Sequence, residues 1–551
     1  MIERSGAQHL VDALVAQGTD LAFGVPGESY LAVLDALVDA GDRIRFITCR
    51  HEAGAANMAE AYGKMTGRPG ICMVTRGPGA THAAIGVHTA MQDSTPMILL
   101  IGQVARNMRE REAFQEIEYR RFFADQCKWV AEIDDPARVP EFMARAYATA
   151  MNGRPGPVVL ALPEDMLVET AEAAPVPRVE PARAAPSKDA IAEIKARLEA
   201  AERPFLLLGG GGWDAAAVND ARLFAERNGL PVGCTFRAKD YYDNTRPNYA
   251  GDVGIAPNPK LAARVRDSDL VIALGPRLGE MTTSGYTLFE APVPRQSLIH
   301  IHPGAEELGR VFQPALAVNA SIGEAARMLK SIRVENPAWA GQAEAAHAEF
   351  EAFSTPVEVE RGVNLSKVFA ELSGLVKKDA IVTNGAGNYA AWLHRFFKHH
   401  SYRTQLAPTS GAMGYGVPAA VAAKIMAPER EVISVNGDGC FLMCGQELAT
   451  AMHYGANVIF IVVDNGAYGT IRMHQEREYP NRVSGTDLTN PDFKKFAESF
   501  GLYATTIEHE DEFGAAFKRA RRAKRPAMIV IRGDIETIAP GRTLSQVRGT
   551  A

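Results

Sequence analysis

Two polar residues stand at the ends of a segment whose pattern is strand, helix, strand. Asp438 lies between two glycines after the β-branched run EVISVNG, and Asn465 follows the apolar run NVIFIVVD. The spacing between them is enough for one crossover helix, so the two strands would be parallel neighbours. Carboxyl ends of neighbouring parallel strands meet at one edge of a sheet, where ligands bind in open α/β folds. The pattern therefore predicts that Asp438 and Asn465 share a site.

The residue types at this edge suit a magnesium ion that holds a diphosphate. A carboxylate, an amide oxygen and a nearby backbone carbonyl are hard oxygen ligands, and Mg²⁺ commonly shares its remaining positions with phosphates. Gly437 and Gly439 would let the backbone approach a diphosphate, and a helix from Cys440 would offer free N–H groups at its positive end. A short glycine turn alone need only make a fold. The asparagine on a second strand favours a Mg²⁺-diphosphate site without the lysine of a P-loop.

The rest of the chain has the pattern of a scaffold that could position such an edge. Strand-like runs such as RIRFITCR and PMILLIGQ alternate with helical patterns such as HEAGAANMAEAYGKMTG, which predicts βαβ units and buried parallel sheets. Two more α/β units follow, and the first and third resemble each other in element order. We expect three doubly wound parallel-sheet domains, at residues 1–170, 191–335 (Rossmann-like) and 361–551, with linkers at 171–190 and 336–360.

Composition excludes several classes of protein. The 551 residues are 47% hydrophobic and 23% charged, as in soluble globular proteins, and the net charge of −6 provides no basic field for nucleic acid or anionic membrane. The six cysteines form no CxxC pair, which argues against a zinc ribbon or disulfide framework and favours a reducing compartment. The amino terminus lacks a secretory pattern, and no apolar run reaches about 18 residues. We expect a cytoplasmic protein without nucleic-acid or membrane partners.

Further motifs extend along most of the chain: FGVPGESYLAVLDAL (23–37), RHEAGAANMAEAYGKMTGRPG (50–70), TRGPGATHA (75–83) and SGAMGYGVPAAVAA (410–423). Together with GDG and the later asparagine, they resemble the thiamine diphosphate-dependent enzymes of the acetolactate synthase-like (acetohydroxyacid synthase large-subunit-like) family. The resemblance is weak in the middle domain. It implies thiamine diphosphate and Mg²⁺ as cofactors, a pyrimidine-binding first domain and a diphosphate-binding third domain. It also implies at least a homodimer, often a homotetramer, with each site shared between subunits.

The resemblance also assigns roles to single residues. Glu52 matches the glutamate that bonds the aminopyrimidine nitrogen of the cofactor, although its position alone would equally suit an acid that stabilises a helix start. The carbonyl of Gly411 would accept the amino group of the pyrimidine, and Met413 would prop the cofactor in its bent shape. By the same resemblance the metal ligands are Asp438, Asn465 and the carbonyl of Ala467, and the other cofactor-binding residues are Gly387, Asn388, Gly437, Gly439, Cys440, Tyr468, Gly469, Thr470 and Ile471.

The substrate side differs from that of pyruvate decarboxylase-like enzymes. Those enzymes carry a His-His pair where this chain has Phe114-Gln115, and a glutamate where it has Ile471. Without these acids an intermediate is less readily protonated to an aldehyde and more available to a second carbonyl. This favours a carboligase, or the reverse carbon–carbon lyase, acting on 2-oxo acids or aldehydes, with Gln115 in contact with the substrate. A non-oxidative 2-oxo acid decarboxylase and a non-catalytic regulatory homologue are the alternatives.

Other positions depart from acetolactate synthases. Glu164 replaces a lysine, and His474 replaces a tryptophan of the second-substrate pocket. The middle-domain RFDDR associated with FAD reads RLGEM (277–281). Together, these departures argue against FAD and against the condensation of two pyruvates. The glycines at 209–212 lack GxGxxG order, so an empty Rossmann-like domain is expected. His82 could move protons or be an ordinary packed histidine. The predicted substrate pocket comprises Gly27, Glu28, Ser29, His82, Phe114, Gln115 and His474.

Overall fold

The computed structural model describes residues 2–549 and divides them into two compact units. The first unit contains the described residues up to Ala182, together with Pro408–Ala427 and Cys444–Ala456. The second contains Arg183–Ala407, Pro428–Met443 and the described residues from Asn457 onward. Among the residues described, no helix has both the length and the apolarity needed to cross a membrane.

The first part of the chain, up to Ala182, is an α/β region. Its strands are β1 (Ile2–Ser5), β2 (Leu21–Gly24), β3 (Arg45–Thr48), β4 (Gly70–Val74), β5 (Met97–Gln103), β6 (Trp129–Glu132), β7 (Pro157–Pro163) and β8 (Thr170–Ala173). Its helices are α1 (Gly6–Ala16), α2 (Leu31–Ala40), α3 (Glu52–Thr66), α4 (Pro78–Asp93), α5 (Tyr119–Phe122), α6 (Val139–Met151) and α7 (Glu164–Val168).

A second α/β region follows. Its strands are β9 (Pro204–Leu208), β10 (Val232–Cys234), β11 (Tyr249–Asp252), β12 (Leu270–Leu274), β13 (Ser297–His302) and β14 (Leu316–Asn319). Its helices are α8 (Lys188–Glu199), α9 (Ala215–Arg227), α10 (Pro259–Asp267), α11 (Ile322–Leu329) and α12 (Gln342–Phe353).

The last region contains β15 (Ile381–Asn384), β16 (Gln405–Leu406), β17 (Val432–Gly437), β18 (Ile459–Asp464), β19 (Tyr503–Ile507) and β20 (Ala527–Arg532). Its helices are α13 (Leu365–Leu375), α14 (Tyr389–Phe396), α15 (Gly416–Met426), α16 (Asp438–Phe441), α17 (Leu448–His453), α18 (Gly469–Glu478), α19 (Phe493–Ser499), α20 (Phe513–Arg522) and α21 (Leu544–Arg548).

Three six-stranded parallel sheets confirm the predicted fold class. The first has the order β3-β2-β4-β5-β7-β6, and the third has the order β16-β15-β17-β18-β20-β19. These orders are the same when strands are counted from the start of each sheet, as the repeated element order predicted. The central sheet differs, with the order β11-β10-β9-β12-β13-β14 of a Rossmann fold. Strands such as β5 and β18 are buried along their whole length, because helices cover both faces.

Two local predictions need correction. The start of the predicted linker 171–190 forms β8, which pairs antiparallel with β1 at the amino terminus. The same linker also contains the start of α8 at Lys188. The sequence did not reveal this strand, because residues 170–173 lack the apolar alternation of a core strand. A short two-stranded sheet pairs through its backbone and needs no apolar side chains. The domain boundaries themselves remain a prediction.

The single helix expected from Cys440 to Gly455 is also wrong. The structure instead has the one-turn α16, a short 3-10 turn at Gly445–Glu447, and α17. The chain leaves the second unit after Met443 and enters the first at Cys444. Apolar spacing reports that residues are buried but does not say in which unit, so the pattern could not reveal this break.

Candidate active site

Glu52 is the first residue of α3 and follows β3 after a short turn. His51 caps the helix, with its Nδ1 accepting a hydrogen bond from the backbone N–H of Ala53 at 3.1 Å. The Glu52 side chain is 14% exposed. The sequence expectation of a strand followed by a helix that Glu52 opens is confirmed.

A second histidine contacts the Glu52 carboxyl. Nδ1 of His82, on α4, lies 2.9 Å from Oε2 of Glu52. The ring of His82 stacks on that of His51 with centroids 4.5 Å apart. Burial lowers the pKa of His51, and the neighbouring His82 lowers it further, against a smaller opposing effect of Glu52. The side-chain ligand atoms of these three residues lie within 4.8 Å of one another, which is close enough for a metal ion. The hydrogen bonds already use one nitrogen of each ring.

Glu447 lies behind the start of α3, and sequence reasoning missed it. Its carboxylate accepts hydrogen bonds from the backbone N–H groups of Arg50 (3.1 Å) and His51 (3.0 Å), and from the hydroxyl of Thr450. Burial raises its pKa. A Cβ on Gly54 would come within 3 Å of the Glu447 carboxyl carbon, so glycine is needed for this approach. An acid within the otherwise apolar and small-residue run GQELATA was the signal that could have identified it.

The turn after β4 supports Gln115. The guanidinium of Arg76 donates to the Phe114 carbonyl at 3.1 Å and to Glu164 at 3.0 Å. A Cβ on Gly77 would collide with Gln115, whose own φ is +65°. The side chain of Phe114 is exposed, at 71% for the residue. Arg76 and Glu164 are therefore an ion pair next to the 114–115 segment, which Arg76 also bonds.

The predicted pocket residues 27–29 divide into surface and core. Glu28 is exposed, and Gly27 is half-buried. Ser29 has no exposed surface, and its Oγ bonds to Oγ1 of Thr75 (2.9 Å) and accepts from the N–H of Arg76 (3.3 Å). The Ser29 hydroxyl is thus bonded inside the fold, and its place in the substrate pocket stays a prediction.

The segment with Gly411 and Met413 belongs to the first unit. Gly411 has a φ of +70° and is exposed, while Met413 is half-buried. Asp93 at the end of α4 accepts from the N–H of Thr409 at 2.7 Å, and the hydroxyl of Tyr415 donates to Glu60 of α3 at 2.5 Å. Both ends of the 409–415 segment are thereby tied to the helices that carry Glu52 and His82.

In the second unit, the ends of β17 and β18 meet as predicted. Oδ1 of Asp438 accepts from the N–H of Gly439, and Oδ2 accepts from the N–H of Gly466, each at 2.8 Å. The strands are parallel neighbours. Burial raises the pKa of Asp438, and the three N–H groups that it accepts from oppose this shift. The third of these belongs to Asn490, whose Nδ2 donates to Asp438 and to Asp464 at 2.8 Å each.

Asn465 begins the turn that closes this edge. Its Oδ1 accepts from the N–H of Ala467 at 3.2 Å, and a Cβ on Gly469 would lie 3.2 Å from its Nδ2. The N–H of Tyr468 donates to the Thr486 carbonyl. The Asp438 carboxylate, the Asn465 amide and the Ala467 carbonyl are the donor set expected for Mg²⁺.

The remaining predicted cofactor positions are described by their contacts near this turn. The hydroxyl of Thr470 donates to Asn388 at 2.9 Å, and Asn388 donates to the Ile538 carbonyl at 2.9 Å. The tyrosine rings explain the glycines, since a Cβ on Gly387 or Gly437 would meet the ring of Tyr389 and one on Gly439 would meet that of Tyr468. The hydroxyl of Tyr389 lies 3.3 Å from Sγ of Cys440.

Two predicted pocket positions lie on α18. Ile471 is 54% exposed. His474 is exposed and accepts a hydrogen bond from Arg477 at its Nδ1, at 2.9 Å. The structure describes both in the second unit, whereas Gln115 and His82 belong to the first.

The glycine turn of the central sheet is closed by aromatic side chains. Nε1 of Trp213 donates to the Gly209 carbonyl at 2.8 Å, and the hydroxyl of Tyr241 donates to the Gly210 carbonyl at 2.7 Å. Trp213 is buried and packs on Tyr241 at 5.3 Å. Arg277 of the RLGEM sequence is paired with Glu307 at 3.2 Å. Two carbonyls of this turn are therefore bonded by the protein's own side chains.

Comparison with known proteins identifies the family. Models of the thiamine pyrophosphate enzymes match in order: the N-terminal TPP binding domain at residues 4–125, the central domain at 191–329, and the C-terminal TPP binding domain at 385–531. The acetolactate synthase large subunit of Parasynechococcus marenigrum (strain WH8102) is 32% identical, over 99% of this chain and 91% of that protein.

Two further relatives support the same family. The large subunit of acetolactate synthase isozyme 2 of Escherichia coli (strain K12) is 30% identical over 97% of both chains. The acetolactate synthase large subunit of Corynebacterium glutamicum is 32% identical, over 95% of this chain and 86% of that protein. The chain therefore belongs to the acetolactate synthase large-subunit family of thiamine pyrophosphate enzymes and is a thiamine diphosphate-dependent carboligase.

Proposed function

We propose that this enzyme forms or cleaves a carbon–carbon bond next to a carbonyl group in 2-oxo acids or aldehydes, with Mg²⁺ holding the diphosphate of its cofactor. The observation that carries this proposal is the meeting of two strand ends at Asp438, where the carboxylate accepts from the N–H of Gly466 at 2.8 Å. This junction brings hard oxygen donors from two strands to one edge, which is the chemistry that a Mg²⁺-diphosphate group requires.

The donor set of this edge fits the metal. Asp438, Asn465 and the carbonyl of Ala467 would hold Mg²⁺. Oδ1 of Asp438 has one N–H partner among the hydrogen bonds seen, which leaves a lone pair for a cation. A divalent ion would favour the ionised carboxylate that burial disfavours. Gly439, Cys440, Gly469 and Thr470 would surround the diphosphate, with Gly387 and Asn388 beside it.

Glu52 is proposed as the activating acid. When bound, thiamine diphosphate supplies a carbon nucleophile that adds to a carbonyl and then accepts its electrons. Oε2 of Glu52 is bonded to His82, so Oε1 is the oxygen available to the pyrimidine nitrogen. There Glu52 would hold and exchange the proton that switches the pyrimidine to its basic form. The carbonyl of Gly411 and the side chain of Met413 would fix the pyrimidine from the other chain segment.

The substrate side supports bond formation between two carbonyl compounds. Positions 114, 115 and 471 carry no titratable side chain, and the nearby Arg76 is already paired with Glu164. The Gln115 amide would orient the substrate without protonating it. Gly27, Glu28 and Phe114 remain predicted pocket residues of the first unit, and His474 remains one of the second.

The same proposal includes the assembly and its surroundings. A homodimer or a homotetramer is proposed because the resemblance to the family implies it. A central domain that works without FAD is proposed because RLGEM (277–281) lacks the paired aspartates of the FAD-associated sequence. The six cysteines are buried and none is in a disulfide among the described residues, which supports a cytoplasmic enzyme. Domains at residues 1–170, 191–335 and 361–551 are retained as the functional parts.

A panel of carbonyl substrates tests the proposal. The purified enzyme would be supplied with thiamine diphosphate and Mg²⁺, then with pyruvate, glyoxylate, aromatic 2-oxo acids and aldehydes, while CO₂ and all carbonyl products are measured together. We expect ligated products, or cleavage of a 2-hydroxy ketone, with little free aldehyde. Free aldehyde as the sole product would show a decarboxylase instead. The Asp438→Asn variant, which should lose its hold on the cofactor, is the control for background chemistry.

A further inference from the structure

We propose that His82 is a positioning residue that holds Glu52 through one oxygen and leaves the other for the cofactor. The observation is the 2.9 Å contact between Nδ1 of His82 and Oε2 of Glu52. A carboxylate can only accept, so Nδ1 of His82 carries the proton and donates. This inference rests on the proposed function, since it takes Glu52 as the acid that activates the cofactor.

Helices α3 and α4 bring Glu52 and His82 together because small residues lie at their contact, one helical turn after each of the two. Gly86 lies four residues after His82, and Ala56 lies four residues after Glu52, so each lies on the same helix face as its partner. A Cβ on Gly86 would come within 3 Å of the backbone of Ala56. The close approach of α3 and α4 at Gly86 therefore sets the distance at which His82 meets Glu52.

The start of α4 is itself held in place. Gly77 caps the helix with a φ of +52°, Pro78 is its first residue, and the N–H of Gly77 donates to the Tyr119 hydroxyl at 2.9 Å. His82 thus projects from the second turn of an anchored helix. Rigid elements hold functional groups more accurately than loops do.

His51 supports the orientation of the His82 ring. Its Nδ1 accepts from the N–H of Ala53, so the neutral ring of His51 has its proton on Nε2. The two rings stack with an interplanar angle of 30°. Glu52 is accordingly held on one side by its own helix and on the other by an imidazole with restricted rotation.

The arrangement favours a hydrogen-bonded pair over a metal site formed by the same three residues. A metal bound to Nδ1 of His82 would displace the proton that joins it to Glu52, and Nδ1 of His51 already accepts from the backbone. Only the nitrogens on the far side of each ring would be left for an ion.

Amide substitutions provide a matched test. Asparagine at position 82 places its N–H₂ near the site of Nδ1, whereas glutamine places it near Nε2. We expect His82→Asn to retain the bond to Glu52, and His82→Gln and His82→Ala to lose it. His88→Ala, an exposed histidine on the same helix, controls for effects on α4 itself.

The first readout is the rate at which bound thiamine diphosphate exchanges its C2 proton for deuterium, measured by quenched-flow NMR on the holoenzyme. The bond to be lost is a partly exposed hydrogen bond to a charged group. We therefore expect the exchange rate to fall about tenfold in His82→Ala and His82→Gln. His82→Asn should stay within about threefold of the wild-type exchange rate because it keeps the hydrogen bond to Glu52. His88→Ala should do the same because it leaves that bond untouched. Equal rates in His82→Ala and wild type, or equal slowing in His82→Asn and His82→Ala, would overturn the inference.

The second readout needs no cofactor. Crystals of the cofactor-free protein should show one conformer of the Glu52 carboxyl in wild type and His82→Asn, and several in His82→Ala. A single unchanged conformer in His82→Ala would also refute the positioning role. Glu52→Gln, measured in parallel, separates the role of His82 from that of Glu52. If C2 exchange in Glu52→Gln is as fast as in wild type, the proposed role of Glu52 fails. If exchange is slow in Glu52→Gln but unchanged in His82→Ala, only the role of His82 fails.

Discussion

The first and third sheets have the same strand order but carry different chemistry at equivalent strand ends. Strands are counted here along the chain. The third strand of the first sheet, β4, is followed by the turn to α4, which holds Arg76 and leads to His82. After the third strand of the third sheet comes Asp438. After the second strands come Glu52 in one sheet and the segment with Gly411 and Met413 in the other. One topology thus provides two sets of groups.

The difference lies in how each acid is surrounded. Asp438 accepts from two backbone N–H groups and from Asn490, and such a set of donors suits a group that stays ionised beside a cation. Glu52 is bonded instead to a histidine, which can donate without fixing both oxygens. We infer that the third sheet grips the cofactor and that the first sheet activates it.

The central sheet shows that glycine turns at strand ends do not suffice. Its turn after β9 carries consecutive glycines, yet Trp213 and Tyr241 occupy the adjacent space and bond to the carbonyls of Gly209 and Gly210. The function of such folds is decided by the side chains at the edge and not by the sheet.

The largest effect is expected for Glu52→Gln. Replacing the carboxyl by an amide removes the group that exchanges a proton with the pyrimidine, so kcat should fall about a thousandfold, within the usual range of general acid–base catalysis. Steady-state product formation with the best substrate of the panel measures this. A kcat within about threefold of wild type would show that the first sheet does not activate the cofactor.

Asp438→Asn tests the other sheet. Loss of the charge that would hold Mg²⁺ should weaken thiamine diphosphate binding about a hundredfold, or roughly 2.7 kcal/mol. Calorimetric titration at fixed Mg²⁺ concentration gives the affinity. Asp511→Asn, at an exposed position in the same unit, should leave it unchanged. Equal affinities for Asp438→Asn and wild type would remove the third sheet from cofactor binding.

A smaller change is expected for Asn490→Ala. Asn490 contacts the proposed metal ligand Asp438 but is not a ligand, and groups in such supporting positions typically contribute about tenfold to metal affinity. Its loss would also leave Asp438 and Asp464 without their shared donor. The Mg²⁺ concentration that gives half-maximal activity should therefore rise by that factor. No rise would mean that the two backbone donors alone hold Asp438.

The smallest prediction concerns stability and a buried acid of the first unit. Burial raises the pKa of Glu60 from 4.5 to about 7, with Lys64 opposing the shift. Because the folded protein then binds more protons than the unfolded one, this group makes stability fall as the pH rises from about 4.5 to about 7. Glu60→Gln should flatten that part of the stability curve and favour the variant at pH 8 relative to pH 5.

Melting temperatures of wild type and Glu60→Gln across this pH range measure the effect. Glu371→Gln, on the third region's α13, is a suitable control for a general change of charge. Parallel curves for wild type and Glu60→Gln would show that Glu60 stays ionised in the folded protein.

Sequence patterns predicted the sheets and part of the site because they report burial and strand ends. The neighbouring ends of β17 and β18 were predicted as a parallel pair, and the position of Glu52 was predicted from a strand that leads into a helix. Asn490 could not be predicted, since it reaches Asp438 from an irregular segment with no periodic signal. Glu447 was hidden for another reason: its segment leaves one unit for the other, and helical spacing does not record that passage.

Binding of thiamine diphosphate to Glu52→Gln, measured by calorimetry at saturating Mg²⁺, tests most directly the division of work between the two sheets. If gripping and activation are separate, this variant binds the cofactor within about threefold of the wild-type affinity although its turnover is lost. Weakening as large as that of Asp438→Asn would contradict the account, because the activating acid would then be part of the grip.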